Sequence, residues 1–226
     1  MRRPRSPFER ARPRGSVRVR LHDQDRALLA GLLDDVARML EPAEAEPADP
    51  PEPADPPEPA DPPESADPPE AADTMVDWAR LEASLTVDPP QDPAIARLLP
   101  DGHREDAELA QSYRRLTEHT LRRAKQEGLT RAAQALLRPD PIVLDAGEAG
   151  ALVKALTDVR LVLAERLGLH TDEDAGVLHA RLTLLELRAE RDPERGLSEA
   201  EERWLWLATL YEALTGWQEA LVGALA

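Results

Sequence analysis

Cysteine is absent from the 226 residues, which excludes disulfide frameworks, thiolate metal sites and thiol redox switching. No apolar run approaches the roughly 18 residues of a membrane span. The twin Arg2-Arg3 is followed by Phe8-Glu9-Arg10 and further arginine rather than an apolar h-region, so it does not read as a secretion signal. A cytoplasmic protein is the default expectation. Asn is missing too, and Lys occurs only at 125 and 154, while Ala, Leu and Pro abound. That pattern matches high-GC coding bias, so arginine enrichment by itself is no sign of selection for nucleic acid. The five histidines show no His-Glu-x-x-His spacing, and there is no Gly-x-Ser-x-Gly elbow, phosphate loop or dinucleotide fingerprint. The sequence therefore argues for no enzyme, no cofactor and no small-molecule substrate.

The net charge of -16 is unevenly placed. Residues 1–20 carry eight Arg against Glu9 alone, whereas residues 41–74 carry twelve acids and no base. Screening confines each segment's field to about 8 Å at physiological salt, so the two do not cancel. Residues 1–14, without apolar periodicity, are expected to be a disordered basic tail, either solvated or an arm for nucleic acid. From Glu41 to Thr74, Asp49-Pro50-Pro51-Glu52-Pro53-Ala54 recurs with few changes at a six-residue period. Proline removes backbone donors and like charges repel, which predicts an extended linker. It reads as a spacer, with an acidic bait for a basic partner or a DNA mimic as the alternative. One helix before it is too little to fold alone. A single α-helical domain is thus expected over 15–226, interrupted by a disordered acidic proline-rich insert at 41–74.

Val17, Val19 and Leu21 alternate on one face of a short strand. Asp23 is placed to N-cap a helix with Leu28, Leu29, Leu32, Leu33, Val36, Met39 and Leu40, ending before Pro42. Trp78, Leu81 and Leu85 mark a short amphipathic segment, and Asp92 with Pro93 opens a brief helix through Leu99. A longer helix is expected from Glu105 to Glu127 with Leu109, Tyr113, Leu116 and Leu121 as apolar contacts. Gly128 would end it, and Thr130 to Leu137 would form another. Pro141 to Leu144 is expected to pair with residues 17–21. Asp145 and Glu148 form a capping-box pattern before a helix to Gly168, striped by Ala149, Leu152, Leu156, Val159, Leu163 and Leu167. Thr171 and Asp174 start a helix with Val177, Leu178, Leu182, Leu185 and Leu187. Ser198 and Glu201 start the last, striped by Leu207, Leu210, Leu214, Trp217, Leu221 and Leu225. The expected fold is mainly α, an antiparallel helical bundle with a minimal two-stranded β element at about residues 17–21 and 141–144.

The basic cluster Arg114, Arg115, Arg122, Arg123 and Lys125, continuing to Arg131 and Arg138, is the best candidate contact surface. Ala124 and Gly128 have the spacing of the small residue and turn glycine of a helix-turn-helix, with Thr130, Arg131 and Gln134 then offered by a recognition helix. Gln134 departs from that pattern, and the bland alternative is a solvated face partnered by Glu118 and Glu127. Arg166 projects onto the middle of an aliphatic stripe. It either snorkels outward near a helix C-terminus or pairs with a carboxylate such as Glu212 or Glu219.

Asp92-Pro93-Ala94-Ile95-Ala96-Arg97-Leu98-Leu99-Pro100-Asp101, Tyr113-Arg114-Arg115-Leu116-Thr117-Glu118, Leu156-Thr157-Asp158-Val159-Arg160-Leu161 with Arg166-Leu167-Gly168, and Gln218-Glu219-Ala220-Leu221-Val222 occur in that order. The combination resembles the actinomycete oxidative stress regulator (AosR) family. Thr157 stands where that family usually has Asn, and Ala213 and Gly216 stand in place of aromatic residues. The resemblance implies a transcriptional regulator of stress genes that acts through DNA or an extracytoplasmic-function sigma factor. Without cysteine, this chain would sense oxidants by other means than thiols or only relay the signal; Met39 and Met75 are the remaining reversible oxidation candidates. The resemblance also gives Asp158, Arg160 and Arg166 a structural role. The expected partners are DNA, a sigma factor or a second copy of the chain. A different class remains open, a protein-binding adaptor linked to Clp proteolysis or to sulfur-carrier and cysteine metabolism.

Overall fold

A computed structural model describes residues 6–41, 90–100, 107–191 and 196–226. The insert from Pro42 onward and the Trp78 segment lie outside them. Two short strands come first, β1 (Phe8–Arg10) and β2 (Val17–Val19). They are followed by α1 (Asp23–Met39), α2 (Pro93–Leu98), α3 (Ala107–Leu136), β3 (Val143–Leu144), α4 (Ala146–Leu167), α5 (Asp172–Arg191) and α6 (Glu199–Leu225). The fold is mainly helical.

The β element has three strands rather than two, in the order β1-β2-β3 and antiparallel throughout. β2 pairs with β3 as expected, Val17 opposite Leu144. The correction is β1, which falls inside the stretch expected to be disordered. Phe8 lies opposite Val19 and is 2% exposed. A three-residue strand points one side chain inward, so its burial leaves no periodicity to read. Gly15 makes the β1–β2 turn at φ 87°, where an added Cβ would sit 3.1 Å from Ala146 Cβ. Both facts require glycine there.

Three antiparallel pairings build the helical layer. α1 runs against α3, with Gln126 donating to the Ala37 carbonyl and Arg122 to that of Leu40. α3 runs against α4, joined by Lys125–Asp158 at one end and Arg138–Glu148 at the other. α4 runs against α6, where Gln218 reaches Val153 and Thr157 while Tyr211 reaches Arg160. One core joins the strands and these helices through Leu29, Leu33, Leu136, Leu152, Leu156 and Leu214, all nearly inaccessible. A smaller cluster of Ala164, Leu169, Leu178, Leu182 and Ala208 seats α5.

The helix starts follow local chemistry. Asp145–Glu148 and Ser198–Glu201 form complete capping boxes, and Gly168 closes α4 at φ 73°. Asp92 caps α2 by accepting from the Ala94 N–H. At α1 the N-cap is His22 and Asp23 is the first helical residue, where its charge faces the helix dipole.

The largest departure is α3. Gly128 does not end it; the helix is 30 residues long and runs through the glycine to Leu136. Leu129, Ala132, Ala133 and Leu136 are buried, and this packing outweighs the ~1 kcal/mol that a mid-helix glycine costs relative to alanine. No turn separates two helices here, so the helix-turn-helix reading is overturned. The expected apolar contacts Leu109, Tyr113, Leu116 and Leu121 are instead exposed, Leu116 at 81%.

Candidate functional site: the groove between α3 and α4

Small residues leave the seam between α3 and α4 unfilled on one side. Ala124, Gly128, Ala132 and Ala135 recur at steps of three and four along α3 and face Gly147, Gly150, Ala151 and Ala155 of α4. Together they line an open groove of about 1180 Å³. A Cβ added at Gly128 or Gly150 would meet nothing within 4 Å, so neither glycine is needed for helix packing. Lys125, Arg131, Arg138 and Lys154 supply basic groups along the walls, and Glu148 and Asp158 supply acidic ones. Arg138 and Glu148 are joined at 3.0 Å, and Lys125 and Asp158 at 2.5 Å. Lys154 and Arg131 are exposed, and among the described residues Arg131 donates to the Glu127 carbonyl alone.

The structure disperses the expected basic surface. Lys125 and Arg131 line the groove, with Asp158 beside Lys125. Arg114 and Arg122 turn to another side of α3 and flank Glu118, at 3.8 and 2.6 Å. Glu118 is 6% exposed. Arg122 also donates to the Leu40 carbonyl at the C-terminus of α1, where a cation suits the helix dipole. Arg123 points outward, 3.4 Å from Glu127. The Arg115 side chain lies outside the described residues. Sequence reasoning expected Glu118 and Glu127 as local partners; Asp158 as the counterion of Lys125 became visible only in the fold.

The three polar residues of the α4 signature serve three different neighbours. Asp158, 7% exposed, faces α3. Arg160 faces α6, donating to Gln218 Oε1 at 2.6 Å and lying 5.2 Å from the Tyr211 ring centroid. Thr157 accepts from Gln218 Nε2 at 2.7 Å, which ties the Leu-Thr-Asp-Val-Arg-Leu run to the Gln218 motif. Arg166 pairs neither with Glu212 nor with Glu219. It is exposed and bonds to Asp92 at 2.6 Å, beside a second link from Arg97 to Glu165 at 3.1 Å. The stripe is open at this last turn, and α2 crosses it there. Ala213 and Gly216, where the resemblance expected aromatic rings, line a second depression of about 440 Å³ with Trp217 and Leu21.

Burial pushes the Asp92 carboxyl up, but the Arg166 hydrogen bond and the Ala94 and Ile95 amides outweigh it and leave it below its ordinary 3.8. Asp174 is lowered by the His170 and Thr171 amides, and Glu201 by the Ser198 amide and hydroxyl and by Arg188. All three sit at helix starts outside the groove and stabilise the deprotonated form locally. A carboxyl with a lowered folded pKa contributes stability above its unfolded value and loses it as pH falls through the folded one. Arg166→Met should lower the melting temperature by about 1–2 °C at neutral pH, the size of an exposed ion pair. Melts repeated below the ordinary Asp value of 3.8 should show that difference fading. An unchanged melting temperature at both pH values would mean that the pair contributes nothing.

Among the described residues, no group of three or more His, Asp or Glu is placed to hold a metal ion, and no helix is long and apolar enough to cross a membrane. Fold and site thus define a mainly helical protein with, among the described residues, a Gly/Ala-lined groove that carries both basic and acidic side chains along its walls. A family model described as a domain of unknown function, DUF2017, matches residues 3–225, and the chain belongs to that family. Comparison with curated proteins and with solved structures gave no match.

Proposed function

We propose that this chain is a non-enzymatic regulator of stress-gene transcription that works by binding a protein of the transcription machinery. The resemblance to the AosR family supplies the biological setting and makes an extracytoplasmic-function sigma factor the partner of choice. The α3–α4 groove is the observation that carries the binding mode. A channel floored by glycine and alanine lets a helix approach closely, in the helix-in-groove manner. The exposed Arg131 and Lys154 favour a partner helix with an acidic face. Direct DNA reading has less support, since Arg114, Arg122 and Lys125 are each drawn to an internal carboxylate.

The test is a pair of titrations, one with a purified extracytoplasmic-function sigma factor and one with DNA from upstream of the protein's own gene, each repeated across salt. The expected result is a one-to-one sigma complex of shallow salt dependence and no specific DNA binding by the protein alone. Specific DNA binding that falls steeply with salt, with a slope flattened by Arg123→Ala and Arg131→Ala, would replace this reading with a DNA-binding regulator. Binding to a Clp component in place of the sigma factor would favour the adaptor.

A further inference from the structure

α5 is amphipathic twice over. Leu178 and Leu182 are buried in the small cluster, and Leu185 on the same side of the helix is buried as well. Roughly opposite them at 100° per residue, Glu173, Val177, Ala180, Leu184, Leu187 and Arg191 form a second stripe. All six are exposed, with Val177 at 65%, Leu184 at 68% and Leu187 at 48%. The neighbouring cations on this helix are already engaged, Arg181 over the Trp204 ring at 4.1 Å and Arg188 on Glu201 at 2.8 Å. Glu173 and Arg191 have no ion-pair partner among the described residues, and they close the two ends of the apolar run.

The spacing of this stripe is symmetric. Relative to position 182, Glu173 lies as far before as Arg191 lies beyond, and the same holds for Val177 with Leu187 and for Ala180 with Leu184. Two copies of such a helix, laid antiparallel about a twofold axis at the level of residue 182, bring Glu173 of each against Arg191 of the other. Val177 then meets Leu187, and Ala180 meets Leu184, so a small residue receives a large one beside the axis. The alternating steps of four and three are those of helices packed at a shallow angle.

We infer that the outer face of α5 is an isologous dimer interface whose occupant is a second copy of this chain. The match of apolar residue to apolar residue and of acid to base under one twofold operation is what singles out that occupant. A 20-residue helix is about 30 Å long, so one helix from each subunit forms an interface at the small end of the specific range. The dimer is accordingly concentration-dependent in the micromolar range. It uses neither wall of the α3–α4 groove and stands or falls separately from the proposed partner binding.

Sedimentation equilibrium on the full chain, from micromolar to hundreds of micromolar, provides the test. The weight-average mass should rise from the 24.9 kDa of one chain toward twice that value. Leu184→Glu, which puts an acid from each copy beside the axis, should weaken association by at least about tenfold. Glu173→Arg alone and Arg191→Glu alone should each weaken it several-fold. The double variant, which restores opposite charges in every pair, should associate as the wild type does. These end positions are exposed, so the charge series stays informative even where Leu184→Glu disturbs α5. A mass that stays at 24.9 kDa at every concentration would overturn the inference. So would a dimer that is indifferent to Leu184→Glu, or a double charge reversal that fails to recover what the single reversals lose.

Discussion

Lys125→Met should destabilise the protein by about 3 kcal/mol, a fall in melting temperature of roughly 6–12 °C for a chain of this length. The substitution keeps an unbranched side chain of similar length and removes the ammonium. It strands Asp158, which is 7% exposed and has Lys125 as its counterion at 2.5 Å. Removing one member of a largely buried pair leaves a poorly solvated charge without its counterion, whereas replacing both by apolar groups of similar size is often neutral. Lys125→Met with Asp158→Leu should therefore recover most of the loss, and thermal melts of the three variants measure it. A phosphate-contacting lysine would behave in the opposite way, losing DNA affinity without losing stability. Equal melting temperatures for wild type and Lys125→Met would return Lys125 to the list of contact residues.

Arg160→Ala should cost about 2–3 kcal/mol, the sum of a charge-assisted hydrogen bond to Gln218 and a cation–π contact with Tyr211. The loss falls on the seam between α4 and α6, because Gln218 also bonds to Thr157 and the Val153 carbonyl. Arg160→Lys should recover only part of it, since an ammonium cannot place one donor on Gln218 and stack a plane over the ring. Urea denaturation of the two variants gives the comparison. A Lys variant as stable as wild type would show that charge alone matters at this position.

Three helix starts were legible because they are written in a few adjacent residues, whereas the cap of α1 fell on His22 rather than Asp23. Asp145 with Glu148, Ser198 with Glu201, and Asp92 before Pro93 all cap as read. The helix α3 was misread at Gly128: Leu129, Ala132, Ala133 and Leu136 recur at helical spacing, but whether the chain turns at the glycine or runs straight through it is decided by their burial against other helices. The partner of Arg166 was misplaced for a similar reason, Asp92 being 74 residues away in the chain. Phe8 carried no periodic signal in a strand of three residues. The arginines of α3 were visible as a cluster, but their division among Glu118, the α1 C-terminus and solvent follows from rotation around the helix. The groove had a faint trace in the sequence. Gly128 and Gly150 sit within helices at about 1 kcal/mol each relative to alanine, with no turn or close contact to require them.

Those two glycines also give the most direct measurement of what the α3–α4 groove does. A Cβ added at position 150 meets nothing within 4 Å and starts into the open channel, and leucine there improves helix propensity rather than harming it. Binding of the sigma factor to wild type and to Gly150→Leu, measured by calorimetry at equal salt, should differ by at least tenfold, with the variant melting no lower than wild type. Equal affinity for the two proteins would contradict the groove as the partner-binding site.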